Sequence, residues 1–242
     1  MNFKIKGISL TIQGKSIVNN VSITVLPGEV VGLMGPNGAG KTSTFNMAVG
    51  NLKPDKGDIL INNKSIKKLS LPARARLGLG YLTQEPSIFR DLTVKENIDL
   101  ALQNTFLSKA IIRNRREKII NEFNLNKVVD NYGYQLSGGE RRRCEIARAL
   151  CVGEKGPKFL LLDEPFAGID PIAVNDLKKI IFKLSKNGVG ILITDHNVRE
   201  TLLITNKSYV LSEGKTLAYG TSTELANNAI VKQYYLGENF KL

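Results

Sequence analysis

Long apolar runs are missing from this 242-residue sequence. The longest, such as Phe159 to Leu162 and Gly190 to Ile193, are strand-length and fall far short of the ~20 residues that a membrane-crossing helix needs. The N-terminus, Met1 to Lys6, has no apolar signal core. The expectation is a soluble protein that is not exported. Cysteine is scarce. Cys144 and Cys151 stand seven positions apart on one predicted helix, which separates their Cα atoms by ~10 Å, too far for a disulfide. They read as small core residues in a reducing cytoplasm. Histidine occurs once, at His196, and no repeat or low-complexity tract is present. Acidic residues are outnumbered, 22 against 34 basic, for a formal charge of +12. Such a surplus suits nucleic acid or an anionic membrane surface. The basic residues are scattered, however. Only Arg113 to Lys118 and Arg141 to Arg143 cluster, and no aromatic residues interleave with them as a single-strand binder requires. No nucleic-acid partner is expected, and a membrane-adjacent location accounts for the charge.

What is present is 42% apolar residue content, enough for a large core. Val21 to Val25 alternates like a half-buried strand, and Val30 to Met34 is a buried one. Thr42 to Val49 reads as a helix stopped by Gly50. Ile59 to Ile61 and Leu79 to Leu82 are short strands. After Gln84 the pattern turns helical: Thr93-x-x-Glu96 is a capping box, and Ser108 to Phe123 carries helical spacing. Strand–helix alternation resumes at Phe159 to Asp163, continues through a helix from about Ile172 and a strand at Val189 to Thr194, and ends in a hairpin turning at Glu213-Gly214. Thr221-x-x-Glu224 caps a closing helix. Alternation of this kind predicts a parallel α/β sheet, here interrupted by a helical insert.

Gly35-Pro36-Asn37-Gly38-Ala39-Gly40-Lys41-Thr42 fits G-x-x-x-x-G-K-[ST] at every fixed position, directly after an apolar strand. Glycines let backbone N–H groups approach phosphate, the helix N-terminus adds its positive end, and Lys41 supplies a mobile cation. The Thr42 hydroxyl suits Mg²⁺, and Ser43 can reach an α-phosphate oxygen. Phe159 to Glu164 is an apolar strand ending in two carboxylates and resembles the Walker B motif, which implies Mg²⁺ for Asp163 and the orienting of water for Glu164. His196 follows another strand end and falls on the same sheet edge. Ser137 and Glu140 form an S-x-x-E box, which reads both as an ordinary helix start and as a set of N–H donors for phosphate.

Leu136-Ser137-Gly138-Gly139-Glu140, combined with the phosphate loop, resembles the signature of the ATP-binding cassette (ABC) ATPases from Phe3 to about Gly220. The resemblance implies one ABC ATPase domain (residues 1–242). It would have a RecA-like P-loop α/β core at about 1–85 and 157–242, with an N-terminal antiparallel β region, and a helical sub-domain at about 86–156. It implies ATP and Mg²⁺ as cofactors and an ATP-driven homodimer in which Ser137, Gly138, Gly139 and Glu140 of one copy close over ATP on the other. Glu164 then matches the carboxylate that polarises water, His196 the switch histidine, Gln84 the glutamine touching Mg²⁺ or water, and Asp170 a residue facing the partner copy. Thr42, Gln84 and Asp163 are the implied metal set. The aromatic that usually stacks on adenine is replaced by Ile12. Within the family, Leu136 to Arg143, Gln84 to Arg90 and Tyr235 to Phe240 resemble the ATPases of lipopolysaccharide export. The ATPases of branched-chain amino-acid importers are the nearest competitor, and a nucleic-acid clamp is the reading from another class. The exporter resemblance implies two transmembrane permease subunits whose short helices dock on Ile88, Phe89 and Arg90. It also implies no contact with the transported molecule and a place on the cytoplasmic face of the inner membrane. The alternative reading of Phe89 is a simple core residue.

Overall fold

The computed structural model describes residues 1–105, 107–240 and 242. In chain order its strands and helices are Phe3–Ile12 (β1), Lys15–Val25 (β2), Val30–Met34 (β3), Lys41–Val49 (α1), Lys56–Ile61 (β4), Lys64–Ser65 (β5), Leu71–Arg76 (α2) and Leu79–Leu82 (β6). Val94–Gln103 (α3), Lys109–Glu122 (α4) and Gly138–Ala149 (α5) follow. Then come Phe159–Asp163 (β7), Pro171–Lys186 (α6), Gly190–Thr194 (β8), Val198–Ile204 (α7), Lys207–Ser212 (β9), Lys215–Gly220 (β10), Ser222–Asn227 (α8) and Ala229–Val231 (α9).

Two sheets organise these elements. One runs β2-β1-β4-β5 and is antiparallel throughout. The other runs β10-β9-β3-β8-β7-β6, parallel except for β10 on the edge. Every residue of β3, β7 and β8 is buried, which is why these strands read as unbroken apolar runs: both their faces are covered. β1 alternates instead, because it covers the core with one side only. Phe3 meets Phe159 at 5.7 Å between ring centroids and joins the two sheets. The P-loop α/β class expected from the sequence is the class observed, antiparallel region included.

The helices between β6 and β7 do not enclose a core of their own. Val94, Ile98, Phe123, Ile146 and Leu150 belong to the same apolar cluster as Leu82, Leu160 and Ile191 of the parallel sheet. The capping boxes read at Thr93/Glu96 and Thr221/Glu224 are formed. Cys144 and Cys151 are buried free thiols, and burial pushes both up to about 12.

One buried charge braces the helix that follows the phosphate loop. Arg74 is 1% exposed, and its partners are backbone carbonyls: Met47 (2.9 Å), Ala48 (2.6 Å), Leu69 (3.0 Å) and Lys67 (3.2 Å). Met47 and Ala48 lie in the last turn of α1, where carbonyls lack an intrahelical partner and a cation is favoured. Burial lowers the Arg74 guanidinium to about 10, so it stays charged at neutral pH. Arg74→Ala should therefore cost about 3 kcal/mol of stability through unsatisfied carbonyls and lost packing. The exposed Arg76→Ala should cost little. Urea unfolding of both variants checks this, and a loss below about 1 kcal/mol for Arg74→Ala would refute the bracing role.

Candidate functional site

The carboxyl ends of β3, β6, β7 and β8 share one edge of the parallel sheet, the edge where open α/β sheets hold ligands. A cleft of about 840 Å³ opens there. Asn37, Gly38, Gly40, Lys41, Thr42 and Ser43 line one side, and Gln84, Glu164 and His196 another. Lys15, Ser16 and Ile17 of β2 and the Glu213-Gly214 turn complete it. Gly35, Pro36 and Ala39 are not among the cleft-lining residues; Pro36 is exposed, and Gly35 and Ala39 are buried. A Cβ on Gly35 would sit 2.2 Å from the Leu211 carbonyl oxygen, so that glycine serves packing beneath the loop rather than approach to a ligand. Ala39 is buried in the apolar cluster under the loop. Lys41 folds back, its Nζ donating to the carbonyls of Gly35 (2.7 Å) and Pro36 (3.0 Å). Burial holds it below the usual lysine range, while Glu164 and Asp163 pull the other way. α1 begins at Gly40 with no side-chain cap and no acidic residue in its first turn, so its first N–H groups face the cleft free of competitors.

The carboxylate pair sits opposite. Glu164 has φ of +50°, an uncommon region for a side-chain-bearing residue. Its N–H donates to the Thr194 carbonyl at 2.8 Å, which extends the β7–β8 pairing by one residue. Its side chain is held from both sides: Gln84 Nε2 donates to Oε2 at 3.0 Å, and His196 Nε2 lies 2.8 Å from Oε1. A carboxylate so fixed, facing a helix N-terminus and a lysine, has what it needs to orient water against a phosphate.

Asp163 is 1% exposed, and its Oδ1 has no hydrogen-bond partner. Burial, reinforced by Glu164, raises it from 3.8 to about 6 against the pull of Arg142 and Lys41. Among the described residues no three His, Cys, Asp or Glu side chains could cage a metal. Mg²⁺ shared with phosphates needs only one or two carboxylates and keeps water ligands, and a buried carboxylate oxygen without a partner fits that use.

Sequence reading missed three groups. Asp195 is buried and accepts from the N–H groups of Phe166 (2.8 Å) and Asn197 (2.9 Å), knotting the turn after β7 to the turn that carries His196. Its place directly before the only histidine was the available signal. Arg142 and Glu145 are buried behind Glu164. In the sequence Arg142 belongs to a basic cluster, but α5 turns it inward. The other cluster is engaged as well: Arg113 pairs with Glu117, Arg116 with Asp99, and Arg115 donates to the Gly153 carbonyl.

The remaining candidates lie elsewhere. Ser137, Gly138, Gly139 and Glu140 do not line their own cleft. Ser137 and Glu140 form the capping box of α5, which lowers the Glu140 carboxyl. A Cβ on Gly139 would lie 2.9 Å from the Ala173 methyl, so the glycine also seats α5 on α6. Asp170 is exposed and caps α6 by accepting from Ile172 and Ala173. Ile12, 45% exposed, is not among the cleft-lining residues, though it pairs with Lys15, which is. The docking trio separates. Phe89 is 46% exposed and lines a groove of about 870 Å³ with Leu71, Arg76, Leu100 and Arg148. Ile88 packs against the apolar core instead, and Arg90 stands exposed outside the groove lining. The guanidinium beside Phe89 belongs to Arg148, 4.5 Å above its ring.

The Asp163 shift has a definite sign. The folded state holds this proton more tightly than the unfolded chain, so its stabilising contribution is present at low pH and lost as pH rises from 3.8 through about 6. Asp163→Asn should raise the melting temperature of the metal-free protein at pH 8 and change it little at pH 4.5. An equal gain at both pH values would refute burial of the charge as the cause.

Residues 18–167 match the ABC transporter family. The lipopolysaccharide export system ATP-binding protein LptB of Escherichia coli K12 is 51% identical over 238 residues, 98% of each chain. The protein of the same name from Haemophilus influenzae is 50% identical over the same share. Among solved structures, an ATP-binding cassette of an ABC transporter in its ADP conformation superposes with a TM-score of 0.86 at 27% identity, covering 98% of this chain and all of the other. A cleft built from a phosphate loop and a clamped carboxylate thus coincides with kinship over nearly the whole length, and the chain belongs to the ABC transporter ATPase family.

Proposed function

We propose that this ABC ATPase is the ATP-hydrolysing subunit of a transporter that extracts lipopolysaccharide from the inner membrane for export to the outer membrane. The hydrolytic assignment is carried by Glu164, clamped between Gln84 and His196 at the mouth of the phosphate-loop cleft. The substrate assignment is supported by identity of 51% to a lipopolysaccharide export ATPase across 98% of both chains.

The loop from Gly35 to Ser43 receives the triphosphate of ATP on the N–H groups of the α1 N-terminus, and Lys41 leaves its two carbonyls for the β- and γ-phosphates. Thr42, Asp163 and Gln84 would hold Mg²⁺, which would supply neutralisation of phosphate charge. Glu164 orients and polarises the attacking water. Gln84 and His196 hold its two oxygens, and His196 reaches the γ-phosphate as well. Ser137, Gly138, Gly139 and Glu140 lie outside the cleft of their own chain, so a second copy is required to present them. The Gly168 carbonyl lies 3.5 Å from a Cβ built on Gly138, so this turn and the loop ending in Asp170 form one surface for that copy. Two copies complete two sites.

No helix among the described residues is long and apolar enough to cross a membrane. The crossing is assigned to two permease subunits, which hold the ATPase on the cytoplasmic face of the inner membrane. Their cytoplasmic helices fit the groove at Phe89, flanked by Ile88 and Arg90, with Arg76 and Arg148 available to helix carbonyls or an acidic side chain.

Lys41→Ala should abolish tight ATP binding. Glu164→Gln should keep binding and lose turnover by about 100-fold or more. Sized by chromatography, the Glu164→Gln protein should dimerise only with ATP. Equal loss of binding in both variants, or a persistent monomer even with the membrane subunits present, would overturn these assignments.

Phe89→Ala should spare turnover of the isolated protein and weaken assembly with the permeases by about 2 kcal/mol, as loss of a buried anchor does. Complementation of a strain depleted of its own exporter ATPase tests the substrate. Assembly only with amino-acid importer subunits would transfer the chain to that class.

A further inference from the structure

Arg142 and Glu145 are buried side chains on α5, 5% and 3% exposed, that the reading above does not use. Arg142 Nη2 donates to the carbonyls of Glu164 (2.7 Å) and Asp163 (3.1 Å), and Nε donates to Pro165 (3.2 Å). Its Nη1 donates to the Thr83 carbonyl (3.2 Å) and to Oε2 of Glu145 (3.0 Å). The other Glu145 oxygen accepts the N–H groups of Ser87 (2.8 Å) and Ile88 (3.3 Å). One turn further along α5, Arg148 donates to the Ser87 carbonyl and stacks on Phe89.

These contacts join two chain segments just beyond the point where the β6–β7 ladder ends at Leu82 and Leu162, so past that pair the separation is no longer set by strand pairing. One is the turn after β7, where Glu164 sits at positive φ. Residues in that region persist only where their surroundings over-determine them. Here Thr194 takes the Glu164 N–H and Arg142 takes its carbonyl. The other segment, Thr83 to Phe89, carries Gln84 and leads into the groove. The Gln84–Glu164 hydrogen bond spans the gap between the two segments on the cleft side, and the Arg142–Glu145 pair spans it on the buried side.

We infer that Arg142 and Glu145 are positioning residues for ATP hydrolysis: together they set the placement of Glu164 relative to Gln84 and tie both to the segment that enters the Phe89 groove. The inference rests on the ATPase reading above. Arg142 makes five hydrogen bonds to four backbone carbonyls and one carboxylate. A planar fork of donors can do this and a lysine cannot. A pair that merely filled the core would be replaceable by neutral residues of similar volume without loss of activity.

The test is steady-state ATPase kinetics on the full chain. Removing one partner alone would strand a buried charge and endanger folding, so the first variant is Arg142→Met combined with Glu145→Gln. It buries no charge and keeps an acceptor for Ser87. The second is Arg142→Lys, which keeps the charge with fewer donors. Cooperative melting establishes folding in each. A lost positioning contact should lower kcat about tenfold or more in the double variant and several-fold in Arg142→Lys, with KM for ATP within about twofold of wild type. Wild-type kcat in either folded variant overturns the inference while the ATPase reading stands. Absence of Glu164-dependent turnover in the wild-type protein overturns both.

Discussion

The register of β7 on β8 is the constraint on which the rest depends. Asp163 pairs with Thr194, and the Glu164 N–H to Thr194 carbonyl bond carries the ladder one residue past both strands. That last bond decides where two loops leave the sheet. Glu164 emerges in one and His196 in the other, 2.8 Å apart across side-chain atoms. A slip of one residue would turn Asp163 and Glu164 to the opposite faces of the sheet and take Glu164 out of the cleft. The register is secure because every residue of both strands is buried, and each slip would bury polar groups in their place.

Packing several charges at one sheet edge is costly, and the molecule offsets the cost with backbone groups more than with ion pairs. Asp195 is raised by burial yet accepts two N–H bonds. Arg142 satisfies four carbonyls, and Lys41 rests on two. Asp163 is the exception, an oxygen without a partner at a raised pKa. Its Oδ1 and the Oγ1 of Thr194, its partner in the β7–β8 ladder, are both buried without a hydrogen-bond partner, so at Asp163 burial rather than hydrogen bonding sets the direction of the shift.

The second constraint is that Ser137 to Glu140 lie outside the cleft that Lys41 lines. The capping box at Ser137 starts α5 with its own side chains satisfying the first turn. α5 faces inward through Arg142 and Glu145 and outward through Ser137 and Glu140. A single helix therefore borders the turn that carries Glu164, the segment leading to the groove beside Phe89 and the turn at Gly168.

Much of this was readable in the sequence, for local reasons. The phosphate loop, the capping boxes at Thr93, Ser137 and Thr221, and the Glu213-Gly214 turn depend on residue types at set spacings along the backbone. The fully apolar strands announced a sheet covered on both faces. What composition left open was direction. Arg141, Arg142 and Arg143 are equivalent as a charge run, yet the rotation of α5 exposes the first and buries the second among carbonyls. Ile88, Phe89 and Arg90 looked like one docking surface, yet only Phe89 reaches the groove, because Ile88 is drawn into the apolar core and Arg148 from another helix takes the place beside the ring. The sequence alone determined the class of fold, the presence of a phosphate-binding loop and the residues able to serve it, since these follow from short-range geometry. Only the tertiary structure decided which side chains meet: the clamp of Gln84 and His196 on Glu164, the Asp195 knot and the Arg142–Glu145 bridge join positions far apart in the chain, and strand register and helix rotation set those meetings.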